Sequence, residues 1–150
     1  MNLFFEGMFG NDVNSDWKKE SDIWLFTNPA WKNHATRMLG GWSPDNPNSD
    51  IPAISNNTAN QEQRFSSWFI EDGSYIKLKS ITLGYNFQNP FKGVSKLNVY
   101  VTGQNLYTIT DYTGFDPEVN AFAGTNGVLG IDYGTYPQIK TFVVGLKANF

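Results

Sequence analysis

The sequence contains no cysteine, one histidine (His34) and no run of basic residues. Without cysteine, neither a disulfide framework nor a thiolate metal site can form. The net charge is −3 at pH 7, so the clustered lysines and arginines that bind nucleic-acid phosphates are missing. No stretch approaches the roughly 18 apolar residues of a membrane-spanning helix, and the mean hydropathy is −0.39. The lack of clustered basic residues argues against a nucleic-acid partner. The mean hydropathy is that of a soluble protein, but it does not exclude a membrane barrel, whose alternating strands average out on a hydropathy scale.

Aromatic residues are abundant, at 16% of the sequence, with 12 Phe, 7 Tyr and 5 Trp. Such enrichment is more typical of strands, interfaces and sugar-binding surfaces than of a helical bundle. A chain of 150 residues is long enough for one domain with a core of its own.

Residues 137–150 show the clearest periodicity. One side of this segment carries Phe142, Val144, Leu146, Ala148 and Phe150, and the other side carries Thr141, Val143, Gly145, Lys147 and Asn149. A period of two predicts a β-strand with one apolar and one mainly polar face. In a soluble protein this strand would leave an exposed apolar ridge and an open edge. In a membrane barrel the ridge faces lipid and barrel closure removes the edge.

Three further strands are predicted at about residues 2–10, 73–87 and 96–110. In the second of these, Ile81, Leu83, Tyr85 and Phe87 alternate with polar residues, whereas the upstream Ile76 and Leu78 have the opposite phase. We therefore predict a bulge near Lys79 and Ser80. The strand at 96–110 alternates as well, but Tyr100 and Leu106 interrupt its polar face.

The connections between these strands differ greatly in length. Residues 11–67 and 111–136 form two long connections, and residues 89–95 form one short turn. Short helices are predicted in the first long connection, over residues 15–26 and 30–39. Connections this long are unusual in a compact soluble sheet. Long loops on one side and short turns on the other are typical of outer-membrane barrels.

Several segments resemble the SusC/RagA-type TonB-linked outer-membrane proteins. Residues 71–85 (EDGSYIKLKSITLGY) resemble the penultimate-hairpin motif of that family, and residues 100–108 (YVTGQNLYT) resemble its next characteristic block. The remaining similar segments are residues 42–52, 112–119, 130–137 and 141–150. The matches cover nearly the whole chain in order, at spacings like those of the family.

The resemblance implies an all-β, antiparallel transmembrane β-barrel segment with two long extracellular loops. It would be the last four strands of a plugged barrel of about 22 strands. Residues 1–7 enter in mid-strand, so we expect the sequence to be the C-terminal part of a longer receptor. Such receptors import glycans or peptides across the bacterial outer membrane. The segment alone should transport nothing, and the resemblance implies no enzymatic activity.

The partners implied by the resemblance are a SusD-like surface lipoprotein, TonB acting through the missing N-terminal part, and membrane lipid. The outer-membrane assembly machinery would recognise the strand carrying Phe142, Val144, Leu146, Ala148 and Phe150. A glycan or peptide would be the substrate.

Candidate contact residues fall into two groups. Trp24, Trp31, Trp42 and Trp68 are candidates for the lid interface or for stacking on a ligand. Their alternative role is to pack the long loop on itself or to sit in an aromatic girdle. Gln104, Asn105 and Thr108 are predicted to face the lumen, where they would contact the substrate or line the wall against the plug.

Catalytic and metal sites find little support. Asp12, Asn14 and Asp16 have the opening spacing of a calcium loop, but Trp17 replaces its glycine and Ile23 its final glutamate. His34 lies in a loop with nothing to hold it in a catalytic triad. We predict no catalytic residue, no cofactor and no metal.

One alternative from another functional class remains open. A secreted soluble β-sandwich that binds carbohydrate would explain the aromatic residues and the acidic pI of about 5.0. It would not explain the long first connection or the bare apolar terminal strand.

Overall fold

The computed structural model describes residues 1–24, 34–53, 64–119, 121 and 130–150. These residues divide into two compact units. The sheet unit comprises Met1–Asn11, Asp72–Pro117 and Tyr136–Phe150, and the loop unit comprises Asp12–Glu71 and Glu118–Thr135. The strands in chain order are β1 (Asn2–Met8), β2 (Asp12–Ser15), β3 (Ile70–Asp72), β4 (Tyr75–Phe91), β5 (Val94–Thr110), β6 (Ile131–Asp132) and β7 (Thr141–Asn149).

The sheet unit is a four-stranded sheet in the order β1-β4-β5-β7. Each of its three pairings is antiparallel. The all-β antiparallel fold predicted from the sequence is thus confirmed. Strands β4 and β5 run over 17 residues each, which exceeds the roughly 9–11 residues that a strand needs to cross a bilayer.

A bulge interrupts the ladder where the sequence predicts one. Against β1, Phe4 pairs with Ser80 and Phe5 with Leu78, so Lys79 is an extra residue in β4. On its other side β4 faces a wider irregularity. Leu78 pairs with Tyr107 and Ser80 with Gln104, which leaves two residues of β5 opposite Lys79. The change of phase between Leu78 and Ile81 is therefore built into the backbone.

The short turn joins β4 to β5 through Lys92 and Gly93, with Phe91 and Val94 as the closing pair. Gly93 has a φ of 91°, a conformation that a residue with a Cβ adopts only with strain. The turn is tighter than the predicted span of residues 89–95.

The loop unit contains a small sheet in the order β3-β2-β6, in which β2 and β6 are parallel. A single α-helical turn (α1, Asp16–Lys19) continues into a π-helical turn at Glu20–Trp24. This agrees with the helix predicted over residues 15–26, of which residues 25 and 26 lie outside the described part. In place of the helix predicted over 30–39, a 3₁₀ helix spans Thr36–Gly40, and residues 30–33 lie outside the described part.

A further 3₁₀ helix spans Ser67–Phe69. Within the described ranges, no helix combines the length and the apolar character needed to cross a membrane.

The two units bury different residues. The loop unit has a small apolar core that includes Val13, Ile23, Met38 and Phe69. The sheet unit buries Tyr75 and Tyr112, but most of its large apolar side chains are exposed. Most of its apolar residues lie on one face of the sheet and not in a core.

Candidate functional site

The register of the sheet brings apolar side chains together on one face. Leu83 pairs with Val101, which pairs with Val144, and the next such row is Tyr85, Val99 and Leu146. We call this the apolar face. It is made up of Leu3, Phe5, Ile81, Leu83, Tyr85, Phe87, Leu97, Val99, Val101, Phe142, Val144, Leu146 and Ala148.

The apolar face is uncovered. Phe142 and Leu146 are each 71% exposed, while Ile81 and Val99 are half-buried. No described part of the chain seals these residues beneath a second layer. Contiguous exposed apolar surface of this kind marks an interaction with lipid or another apolar partner. Acyl chains are the solvent that a face of alternating strand residues meets in a membrane barrel.

The opposite, polar face carries hydrogen-bonded pairs across neighbouring strands. The hydroxyls of Thr82 and Thr102 lie 2.9 Å apart, and Asn98 Nδ2 donates to Asn86 Oδ1 at 2.8 Å. Gln104 and Thr108, two of the residues predicted to face the lumen, pair with Ser80 and Lys77 and therefore share this face.

Asn105, the third predicted lumen residue, occupies the irregularity of β5. Its φ of 53° is a left-handed conformation that asparagine tolerates better than most residues. Its Nδ2 donates to the carbonyl of Ile139 at 3.2 Å, shortly before β7 begins. Asn105 thus links the irregularity of β5 to the residues that precede β7.

The two residues that break the alternation of β5 lie over glycines. A Cβ at Gly145 would come within 2.5 Å of Cε1 of Tyr100, its register partner, so the Tyr100 ring occupies that space. A Cβ at Gly103 would lie 3.0 Å from the Cδ atoms of Leu106. Tyr100 and Leu106 therefore each fill the space that a glycine, which has no side chain, leaves beside them.

A buried ion pair joins the connection that follows β5 to strand β4. Lys77 Nζ lies 2.8 Å and 3.0 Å from the two carboxylate oxygens of Asp116, and Lys77 is 1% exposed. The backbone N–H of Gln138 also donates to Asp116, at 3.2 Å. The sequence analysis did not predict this pair. The only sign of it in the sequence is that Lys77 alternates with the apolar residues Ile76 and Leu78.

The loop unit is organised around Asp22, which is fully buried. Arg37 Nε donates to Asp22 Oδ2 at 3.0 Å, and Arg37 Nη2 approaches Oδ1 at 2.6 Å. The indole N–H of Trp68 donates to the same carboxylate at 3.3 Å. Lys18 Nζ lies 4.3 Å from the centroid of the Trp68 ring, a cation–π distance. This arrangement packs the loop on itself.

The predicted tryptophans occupy different settings. Trp68 belongs to the Asp22 cluster, whereas the side chain of Trp42 is exposed. The backbone N–H of Trp42 donates to the carbonyl of Ile51 at 2.9 Å. The backbone of Trp24 ends the π-helical turn, but its side chain lies outside the described residues. Trp31 lies wholly outside them. The roles of all four in lid or ligand contact remain predictions.

Two titrating groups outside the long strands have pKa values that depart from the ordinary ones. The hydroxyl and N–H of Ser74 stabilise the Asp72 carboxylate and lower its pKa. Asp16 accepts a hydrogen bond from the Tyr133 hydroxyl and raises the pKa of that tyrosine. Among the described residues, no three His, Asp or Glu side chains cluster as they would around a metal ion.

Sequence comparison matches the whole chain to known receptors. It is 38% identical over 157 residues to "TonB-dependent receptor P3" of Formosa agariphila, with 100% of this chain and 15% of that protein covered. It is 37% identical over 108 residues to "TonB-dependent receptor SusC" of Bacteroides thetaiotaomicron, covering 69% of this chain and 10% of that protein. The chain therefore spans only a small part of the length of these relatives. No family model matches it.

Structural comparison gives the same fold. The RagAB peptide transporter superposes with a TM-score of 0.78 at 24% identity, covering 99% of this chain and 15% of that chain. The "closed-closed" state of the RagAB peptide importer gives a TM-score of 0.77 at 23% identity, with the same coverage.

Proposed function

Because the chain belongs to the SusC/RagA-like TonB-dependent receptors, we propose that it forms adjacent barrel strands of an outer-membrane nutrient importer. Its apolar face would meet lipid, and its polar face would line the barrel interior. The observation that carries this proposal is the in-register apolar face, uncovered and backed by a face of paired threonines and asparagines.

The edges of the sheet support the same reading. Strands β1 and β7 are the outermost in the order β1-β4-β5-β7, so each has one edge without a partner in this sheet. Backbone groups left unpaired in a bilayer cost several kcal/mol each. Further strands of the receptor would pair with both edges and close the barrel.

The relatives support a proposal for the activity of the whole receptor. We propose import of a glycan or peptide, a SusD-like surface lipoprotein as the lid partner, and TonB as the energy source, acting through parts outside this chain. The segment would lie in the bacterial outer membrane and have no enzymatic activity. The carbohydrate-binding sandwich would need a second sheet over the apolar face, and the exposure of Phe142 and Leu146 argues against that.

The test uses a chimeric receptor, in which this chain replaces the matching segment of receptor P3. Val143 and Val144 offer a matched pair, because both are exposed valines of β7 on opposite faces. Arginine on the lipid face near the bilayer midplane costs about 2–4 kcal/mol. We therefore expect Val144→Arg to lower the heat-modifiable, membrane-assembled fraction strongly, and Val143→Arg to lower it much less. Equal loss from both variants would contradict a lipid-facing surface.

A further inference from the structure

An open depression lies at the turn end of the sheet. Its volume is about 470 Å³, and its lining consists of Asn89, Phe91, Lys92, Gly93, Val94, Ser95 and Phe150. We call it the turn-end depression. It combines two aromatic rings and one cation at the end of the apolar face.

The backbone explains why these residues meet. The Lys92–Gly93 turn closes β4 onto β5, and β5 pairs with β7 up to Lys96 and Asn149. The hydroxyl of Ser95 donates to the carbonyl of Asn149 at 3.0 Å, which holds the end of β7 beside the turn. Phe150, next in the chain, therefore lies against the turn.

The side chains of the depression are presented to the surroundings. Phe91 is 70% and Phe150 92% exposed. The ammonium of Lys92 makes no hydrogen bond or ion pair with any described residue. Lys79, by contrast, is paired with Glu6 at 3.2 Å. The depression thus combines a lysine that has no partner among the described residues with two exposed apolar rings.

We infer that the turn-end depression binds the phosphate headgroup of a membrane phospholipid. This inference rests on the proposed barrel, since it places the depression at the end of a lipid-facing surface. Girdles of aromatic residues flank the apolar band of a membrane barrel. A lysine beside them can extend its ammonium to the phosphate while its methylene stem stays in apolar contact. Gly93, with its positive φ, keeps Lys92 at the tip of the turn.

The experiment measures phospholipid binding by the chimeric receptor in a neutral detergent, using native mass spectrometry with added phosphatidylglycerol. Loss of one cationic contact with a lipid phosphate weakens binding about fivefold. We expect Lys92→Gln to lower phosphatidylglycerol occupancy by about that factor and Lys92→Arg to retain it. Phe91→Ala should lower it as well.

Two controls isolate the phosphate contact. Lys96→Gln removes a lysine of the same hairpin that lies on the polar face beside Asn98 and Lys147, so occupancy should not change. Diacylglycerol, which lacks a phosphate, should bind equally to the wild type and Lys92→Gln. Equal phosphatidylglycerol loss from the Lys92 and Lys96 variants, or unchanged occupancy in Lys92→Gln, would overturn the inference. The Val143 and Val144 pair tests the barrel separately, so the two failures are distinguishable.

Discussion

Lys77 and Asp116 are 39 residues apart in the chain, yet they form a two-pronged contact of 2.8 Å and 3.0 Å. Asp116 also accepts the N–H of Gln138. One carboxylate therefore links strand β4, the start of the connection after β5 and the residues that lead into β7. We call these contacts of Asp116 with Lys77 and Gln138 the clasp.

The first prediction concerns this clasp. Lys77→Met leaves the largely buried Asp116 carboxylate without its lysine, and breaking a buried pair in this way costs about 3–5 kcal/mol. We expect a large fall in the thermal midpoint of the chimeric receptor. The double variant Lys77→Met with Asp116→Leu should recover much of the loss.

The matched control for the clasp is Lys79→Met. Lys79 contacts Glu6 at 3.2 Å, but the Glu6 side chain is 42% exposed. Exposed pairs contribute less than about 1 kcal/mol, so the midpoint should hardly move. Similar losses from the two lysine variants would show that burial does not set the strength of the Lys77 pair.

The second prediction concerns Gly145. A Cβ there would meet the Tyr100 ring, and overpacking of this kind costs about 1–3 kcal/mol. Gly145→Ala should therefore destabilise the receptor in thermal unfolding. In a Tyr100→Ala background the same substitution should be nearly neutral, because the ring is gone. An equal cost in both backgrounds would contradict the contact.

The third prediction concerns pH. Ser74 lowers the pKa of Asp72 in the folded state. Its hydrogen bonds to the carboxylate therefore stabilise the turn between Asp72 and Ser74 at pH values above the ordinary carboxyl pKa. That contribution is lost as the pH falls through the lowered value. Ser74→Ala should move the Asp72 pKa upward, toward its ordinary value. Carbon-13 NMR of labelled aspartate, assigned with Asp72→Asn, would measure the shift, and an unchanged pKa would refute this cause.

The fourth prediction concerns the chain by itself. Its uncovered apolar face and two unpaired sheet edges should make it aggregate in water and stay dispersed only in detergent or lipid. Size-exclusion chromatography with light scattering distinguishes the two states. A soluble monomer that melts cooperatively and binds a glycan would instead support the carbohydrate-binding sandwich.

The sequence predicted those features that depend on local alternation. The period-two pattern at Phe142, Val144 and Leu146 identified the apolar face of β7, and the change of phase after Leu78 located the bulge. Both follow from the geometry of a single strand.

Features that depend on distant partners were not predictable in the same way. Nothing near Lys77 in sequence specifies Asp116, and Tyr100 looked like an error in the pattern until Gly145 was found opposite it. The 3₁₀ helix at Thr36–Gly40 replaced a longer predicted helix. Short helical segments depend on tertiary packing more than on propensity.

The extra residue at Lys79 has a consequence for how β4 tolerates changes in length. Successive side chains of a strand point to opposite faces of the sheet. The face that a side chain of β4 occupies is therefore set by whether an even or an odd number of residues separates it from the bulge. Losing one residue between Ser80 and Phe87 would move every later side chain of the strand to the opposite face of the sheet. Viable length variation in β4 should therefore come in steps of two residues.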